Sequence, residues 1–322
     1  MLLAFFVVVL VLSLYILGLH INNGFFEDFP QYSKTLGFSV ESHKVITEDG
    51  YILTVFRLQR KGTKKFQRDL TPILFQHGLL DSADGWITNA NFNSSDKARA
   101  FYFADRGFDV WVSNTRGNYY SRDHIRYDPD RDAEFWDYSF VEMGMKDVPA
   151  VFNYISNFTD KKIHYIGHSQ GTAQMFAALA KREPTIVAKL NRFVALAPVV
   201  YVKKEKAPLF DAIGIDDAFG IWAWFGIHEV FTRGWFNRLV ASALCTYLES
   251  VCSLQNGLFS NGDNSLANHE QIDVQTYHFP SGSSVKSLKH FEQIKQPDSP
   301  FQNTIMESKG IFKNTIPRHH LF

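Results

Sequence analysis

Short apolar runs and longer segments with helical spacing alternate along most of the chain. Runs rich in β-branched and aromatic residues predict strands, whereas apolar residues three and four positions apart predict helices. The predicted strands are 38–46, 51–58, 72–80, 108–112, 163–166 and 192–198, and the predicted helices are 96–106, 140–158, 172–180 and 283–294. Because strands alternate with helices, the pattern predicts an α/β fold with a mostly parallel sheet. The first two strands flank Glu48-Asp49-Gly50, which predicts an N-terminal hairpin.

The pattern changes at Val199, where the alternation of strands and helices ends. Aromatic residues then crowd together, as in Phe219-Gly220-Ile221-Trp222-Ala223-Trp224-Phe225. We interpret 199–280 as an inserted helical cap over the main domain, which spans 30–198. Segment 281–322 is then a helix that returns to the core, followed by a tail.

The first residues form an uncharged apolar run from Leu2 to Leu19. This length is about the minimum that spans a bilayer, and no basic residue precedes the run. Two interpretations stay open for residues 1–19, a cleaved signal peptide, which we favour, and an uncleaved anchor. The sequons at Asn93 and Asn157 fit glycosylation in the secretory pathway.

Composition narrows the class of partner. The 322 residues carry 33 Lys+Arg and 33 Asp+Glu, so the net charge gives no indication of a nucleic-acid partner. A hydrophobic content of 45% supplies a large core. Cys245 and Cys252 are the two cysteines, and they either form a disulfide, which needs a bend between them, or remain separate buried thiols. No zinc motif is present, and no metal or other cofactor is expected.

The strongest chemical signal is Gly167-His168-Ser169-Gln170-Gly171, placed between a predicted strand and a predicted helix. This is the nucleophile elbow of α/β-hydrolases, in which a strained turn lifts the serine hydroxyl above the sheet. Gly167 and Gly171 fit because a Cβ at either position would meet the neighbouring strand or helix. The Gln170 N–H then lies at a helix N-terminus, where it can stabilise an oxyanion.

A second oxyanion donor is expected after the strand that ends in His77-Gly78. Leu79 supplies that N–H in our interpretation, and His77 is structural because the expected order is serine, then acid, then histidine. The polar segments 114–118 and 121–124 are interpreted as a hydrogen-bonded structural corner.

Several ordered motifs together resemble the acid lipases of the α/β-hydrolase superfamily, which include the gastric and lysosomal acid lipases. The motifs cover roughly residues 30 to 300 and are Gln76-His77-Gly78-Leu79-Leu80, Gly107–Trp111, Asn114–Asn118, Ser121–His124, Glu134–Trp136, Ser139-Phe140, Glu142-Met143, Gly167–Gly171, Phe193–Pro198 and Gly282–Val285.

The resemblance implies a secreted or lysosomal hydrolase of neutral lipid esters, such as triacylglycerols or cholesteryl esters, whose cap meets a lipid interface. It implies Ser169 as nucleophile, with Leu79 and Gln170 as the oxyanion hole. It also implies a Cys245–Cys252 disulfide within the cap and a glycan on Asn93.

The sequence departs from the family after the returning helix, where two further strands and their catalytic Asp and His are expected. We find neither, so the chain resembles a form truncated at its C-terminus, and we expect little esterase turnover from it. Other acidic and histidine side chains are interpreted as poorly placed, surface or packing residues, namely Asp263, Asp273, Asp298, His269, His278, His290, His319 and His320. The alternative function is a catalytically inactive lipid-binding protein that keeps the pocket and cap.

Overall fold

The structure is a computed structural model that describes residues 27–91, 94–200, 227–232 and 271–295. Several predictions therefore lie outside the described residues: the segment 1–19, Asn93, Cys245 and Cys252, most of the cap, Asp263, His269, and the tail with Asp298, His319 and His320. In the part described, no helix is both long and apolar enough to cross a membrane.

Six strands form one sheet, in the order β1-β2-β4-β3-β5-β6. The strands are β1 Ser39–Ile46, β2 Ile52–Gln59, β3 Pro72–Gln76, β4 Asp109–Ser113, β5 Ile163–His168 and β6 Leu190–Leu196. β2 is antiparallel to both of its neighbours, whereas β4, β3, β5 and β6 run parallel. The predicted α/β fold and hairpin are confirmed, with the hairpin paired from Ser39↔Gln59 to Ile46↔Ile52.

Helices cover both faces of this sheet. They are α1 Phe29–Thr35, α2 Arg99–Asp105, α3 Phe140–Glu142, α4 Val148–Thr159, α5 Gln170–Ala180, α6 Pro184–Lys189, α7 Ile272–His278 and α8 Val285–Lys295. Short 3₁₀ helices span Ala83–Trp86, Ser95–Lys97 and Ala133–Trp136. A two-stranded sheet pairs β7 Glu229–Val230 with β8 Ser283–Ser284.

The alternation of side chains along each strand separates two apolar layers. In β3, Ile73 and Phe75 pack in the layer that contains Phe29 and Phe101 of α1 and α2. Leu74 faces the opposite layer, where the apolar side of α4 packs. The central strands β2, β3 and β4 are therefore buried on both faces.

Several elements differ from the sequence prediction, among them the following three. Segment 140–158 was predicted as one helix, but α3 and α4 are joined by a π-helical stretch, Met143–Asp147. Within it, a Cβ on Gly144 would lie 2.4 Å from the Gln174 carbonyl oxygen, so the local geometry serves a close contact with α5. β6 was predicted as buried, but Val194 is 45% exposed. β6 also borders another described strand on one side only. β7 lies within the span predicted as a helical cap.

Candidate active site

Ser169 occupies a sharp turn between β5 and α5. Its backbone has φ 49° and ψ −116°, a conformation that non-glycine residues adopt at a cost of about 1–3 kcal/mol. The turn is held from both sides. The Ser169 N–H donates to the Leu196 carbonyl oxygen of β6 (2.9 Å), and the Ser169 carbonyl oxygen accepts from the Thr172 N–H (2.8 Å). The local structure is the strand-turn-helix arrangement that the motif predicts.

Glycines make this turn possible by allowing close backbone approach. A Cβ on Gly167 would lie 2.8 Å from the Gly171 backbone, and a Cβ on Gly171 would lie 2.6 Å from the Gln76 carbonyl oxygen. Gly78 brings the loop after β3 beside the serine, since a Cβ there would lie 3.2 Å from the Ser169 Cβ. The predicted close packing at these glycines is therefore present.

The two residues predicted to supply oxyanion donors, Leu79 and Gln170, are each close to the serine along the backbone or through Gly78. Gln170 is the first residue of α5, and Leu79 follows Gly78. Neither N–H has an acceptor among the residues that the structure describes. Leu79 also packs against the apolar cluster of Phe140, Ala173 and Phe291, which fixes the loop beside α5. Two such donors near one serine suit an oxyanion.

His77 is fully buried beneath the loop and is held as a neutral imidazole. Its Nδ1–H donates to the Gly78 carbonyl oxygen (2.8 Å), and its Nε2 accepts from the Thr115 N–H (3.1 Å). Burial lowers the pKa of His77 to about 4. This environment supports a structural role for His77, in which it links the oxyanion loop to the corner after β4.

That corner is a buried polar network, as predicted. Asn114 Oδ1 accepts from the Ala83 N–H (2.9 Å) and from Asn118 Nδ2 (3.0 Å). Arg116 is 1% exposed and binds Asp147 through Nε (2.8 Å) and Asp49 through Nη1 (2.7 Å). Burial opposes the ionisation of Asp49, but hydrogen bonds from Arg116 outweigh it and lower the pKa of Asp49 to about 2.

Sequence reasoning missed a second buried network beside the oxyanion loop. The Asp84 carboxylate is fully buried and accepts from Tyr120 Oη (2.8 Å) and from His278 Nδ1 (2.8 Å). A further bond joins the same regions, from the Ser281 N–H to the Leu80 carbonyl oxygen (2.7 Å). Segment 278–281 therefore anchors the loop that carries Leu79. Asp84 and His278 are 194 positions apart, so no local pattern could have paired them.

The structure does not bring a general base to the serine in the part of the chain that it describes. Ser169 is half-buried, and its hydroxyl has no hydrogen-bond partner among those residues. His278 binds Asp84, and His290 is buried and stacks on Phe140 with 4.3 Å between ring centroids, so both are packing residues. Asp273 lies in α7. No group of His, Cys, Asp or Glu among the described residues is arranged to hold a metal ion.

Asn157 is exposed in the last turn of α4, where its side chain is accessible to solvent. Thr159 of the same sequon is buried, and its hydroxyl donates to the Ile155 carbonyl oxygen (2.8 Å). Glycosylation at Asn157 stays a prediction.

Comparisons with known proteins agree with this geometry. Two protein families match the chain. The family described as a partial α/β-hydrolase lipase region matches residues 29–90, and the family described as the α/β hydrolase fold matches residues 71–248. Gastric triacylglycerol lipase of Mus musculus is 37% identical over 281 residues, which cover 84% of this chain and 69% of that protein. Its counterpart in Rattus norvegicus is 38% identical over 262 residues, which cover 80% of this chain and 65% of the relative.

Lipase member M of Mus musculus is 36% identical over 298 residues, covering 88% of this chain and 69% of the relative. The chain thus spans 65 to 69% of the length of these relatives. The strand order, the Ser169 turn and these matches lead to one conclusion: the chain belongs to the acid lipase family of the α/β-hydrolase superfamily.

Proposed function

We propose that this protein is a serine carboxylic ester hydrolase of the secretory pathway that acts on neutral lipid esters, such as triacylglycerols or cholesteryl esters. The observation that carries the proposal is the left-handed backbone of Ser169 between two available N–H groups, those of Leu79 and Gln170. The names of the gastric triacylglycerol lipases support the class of substrate.

The proposed reaction is acyl transfer in two steps. The Ser169 Oγ attacks the ester carbonyl carbon while a base removes the hydroxyl proton, and the carbonyl oxygen becomes an oxyanion held by the two N–H groups. Collapse of this intermediate breaks the bond to the alcohol, which leaves with the proton. Water then attacks the acyl-enzyme in the same way and releases the fatty acid. No residue is assigned as the base or as the acid that orients it.

Hydrolysis of p-nitrophenyl butyrate by the purified chain tests the proposal. Turnover should disappear in Ser169→Ala and persist in Ser156→Ala, a matched control on α4. The sequence predicts little turnover from the unmodified chain, because a serine hydroxyl without a general base is a weak nucleophile. Labelling by a fluorophosphonate probe should likewise be lost in Ser169→Ala and retained in Ser156→Ala.

The second candidate, an inactive lipid-binding protein, predicts a different outcome. Turnover would then equal that of Ser169→Ala, while a fluorescent triacylglycerol analogue would still bind saturably to both. This result would contradict the hydrolase proposal and support the lipid-binding function.

Location and processing are part of the proposal. Secretion should yield a mature N-terminus between Gly18 and Phe25, which N-terminal sequencing measures. Recovery of the uncleaved chain in membranes would favour an anchor instead. A non-reducing peptide map should recover Cys245 and Cys252 as one linked pair, and two free thiols would contradict it.

A further inference from the structure

The loop between β2 and β3 concentrates positive charge on a chain whose net charge is zero. Residues 60–68 include five basic side chains and no carboxylate: Arg60, Lys61, Lys64, Lys65 and Arg68. All five are exposed. None of them forms an ion pair with a carboxylate in the part of the chain that the structure describes. We call residues 60–68 the basic loop.

Buried polar side chains fix the shape of this loop. The Gln67 carbonyl oxygen accepts from Arg57 Nη2 (2.7 Å) and from Gln59 Nε2 (2.7 Å), and the Gln67 N–H donates to Gln59 Oε1 (2.9 Å). Ser39 Oγ donates to the Thr63 carbonyl oxygen (2.5 Å). The cations are therefore presented on a backbone that is held in place, which lowers the entropic cost of binding a partner.

The basic loop lies at the edge of the sheet opposite Ser169. The loop precedes β3, so it lies at the amino end of that strand. It contacts the start of β1 and the end of antiparallel β2, and both of these lie at the same end of the sheet. Ser169 follows the carboxyl end of β5, which is parallel to β3. A partner on the basic loop would therefore leave the candidate active site open.

The chemistry of the loop selects the kind of partner. Its side chains line a depression of about 420 Å³ formed by Arg60 to Lys65 and Gln67. The loop has no exposed large apolar side chain that could insert into a bilayer, and its aromatic residue, Phe66, contacts the Arg57 guanidinium at 4.9 Å. It therefore lacks the exposed ring on which a single-stranded nucleic acid stacks. Charge and a concave polar surface remain, and both suit sulfate groups on a flexible chain.

We propose that the basic loop binds a sulfated polysaccharide, through ion pairs between its sulfate groups and the loop cations centred on Lys64 and Lys65. Binding releases counterions from the polyanion, so affinity should fall steeply with salt. The proposal does not depend on the hydrolase activity.

Titration of the 322-residue chain with fluorescent heparin at several salt concentrations tests this site. Lys64→Ser/Lys65→Ser should weaken binding about tenfold near physiological salt and reduce the salt slope by about 1.4–1.8, the contribution of two cations to a polyanion complex. Lys64→Arg/Lys65→Arg should bind within about twofold of the unmodified chain, because charge is retained. The matched control is Lys97→Ser/Lys181→Ser, which removes two exposed lysines elsewhere.

Three results would overturn the proposal. The control pair could weaken binding as much as the loop pair, which would indicate general attraction to heparin. Vesicles containing phosphatidylserine could compete with heparin at equal charge, which would assign the loop to a membrane. A single-stranded oligonucleotide could bind more tightly than heparin, which would assign it to nucleic acid.

Discussion

Ser169 is one of six non-glycine residues with a positive φ in the described part of the chain, and it lies in the turn that carries the candidate nucleophile. Its positive φ persists because the surrounding backbone leaves no room for a relaxed turn: Gly78, Gly167 and Gly171 each sit where a Cβ would contact a neighbouring group. Such strain is often found at functional positions. The motif alone predicted the turn, because the chemistry of Gly-x-Ser-x-Gly depends on local geometry.

Gly171→Ala should reduce the free energy of unfolding by about 2–3 kcal/mol, because its Cβ would overlap the carbonyl oxygen of Gln76. Gly62→Ala is the control: Gly62 has a positive φ, which Gly171 does not, but no atom lies within 4 Å of the added Cβ, so it should lose about 1 kcal/mol from backbone strain alone. Urea denaturation measures both. Equal losses would show that α5 moves freely away from β3.

His77 should make the fold sensitive to acid. Its pKa is about 4 in the folded state and about 6.5 when unfolded, so the unfolded chain binds the proton first as pH falls. The stabilisation by neutral His77 is complete above pH 6.5 and declines by about 3 kcal/mol towards pH 4. His77→Gln should therefore show a shallower fall in melting temperature between pH 6.5 and 4.5, although it is less stable at pH 7.

The control for this effect is His164→Gln, at a partly exposed position. Burial and the charge of Arg192 also lower the pKa of His164, so the pH slope should change in the same direction but less than in His77→Gln. If His77→Gln and the unmodified chain lose stability in parallel, another group binds the proton.

Buried carboxylates join elements across the molecule. Arg116, in the corner after β4, binds Asp147 at the end of the π-helical stretch and Asp49 in the hairpin turn. The Asp84–His278 pair similarly links the 3₁₀ helix Ala83–Trp86 to α7. The sequence predicted that residues 114–124 form a structural corner, but it could not identify these partners, because their pairing depends on how distant segments pack.

Arg116→Met should cost about 3–5 kcal/mol of unfolding free energy, because it leaves Asp147 buried without its cation. Arg116→Met/Asp147→Leu should cost less than the sum of the two single changes. A double-mutant cycle in urea measures the coupling energy. Additive losses would mean that solvent reaches Asp147 when Arg116 is absent.

At the scale of the whole molecule, the apolar pattern of the sequence predicts the structure best where both faces of the sheet are covered. Each predicted strand from 38 to 198 is found: apolar runs predicted the parallel strands, and the hairpin signal predicted antiparallel β1 and β2. The predicted burial of β6 was wrong, since an apolar run does not show what packs against a strand. It also did not predict the π-helical stretch, which arises from the contact of Gly144 with α5.

Amide hydrogen exchange should therefore be graded across the sheet. Peptides from β3, β4 and β5 should exchange slowest, because these strands are paired on both sides and buried. Peptides from β6 should exchange faster, since β6 borders another strand on one side within the described residues. Mass spectrometry gives the comparison, and equal protection of β5 and β6 would indicate that a further segment covers the edge.

The opposite placement of the basic loop and Ser169 has a practical consequence for handling the protein. A sulfonated cation-exchange resin should capture the chain by Lys64 and Lys65 without any coupling reagent. Every adsorbed molecule would then present the carboxyl edge of its sheet to the mobile phase, with the serine turn facing the flow. Oriented immobilisation of this kind needs no affinity tag, because the polarity of a parallel sheet has already separated the point of attachment from the point of reaction.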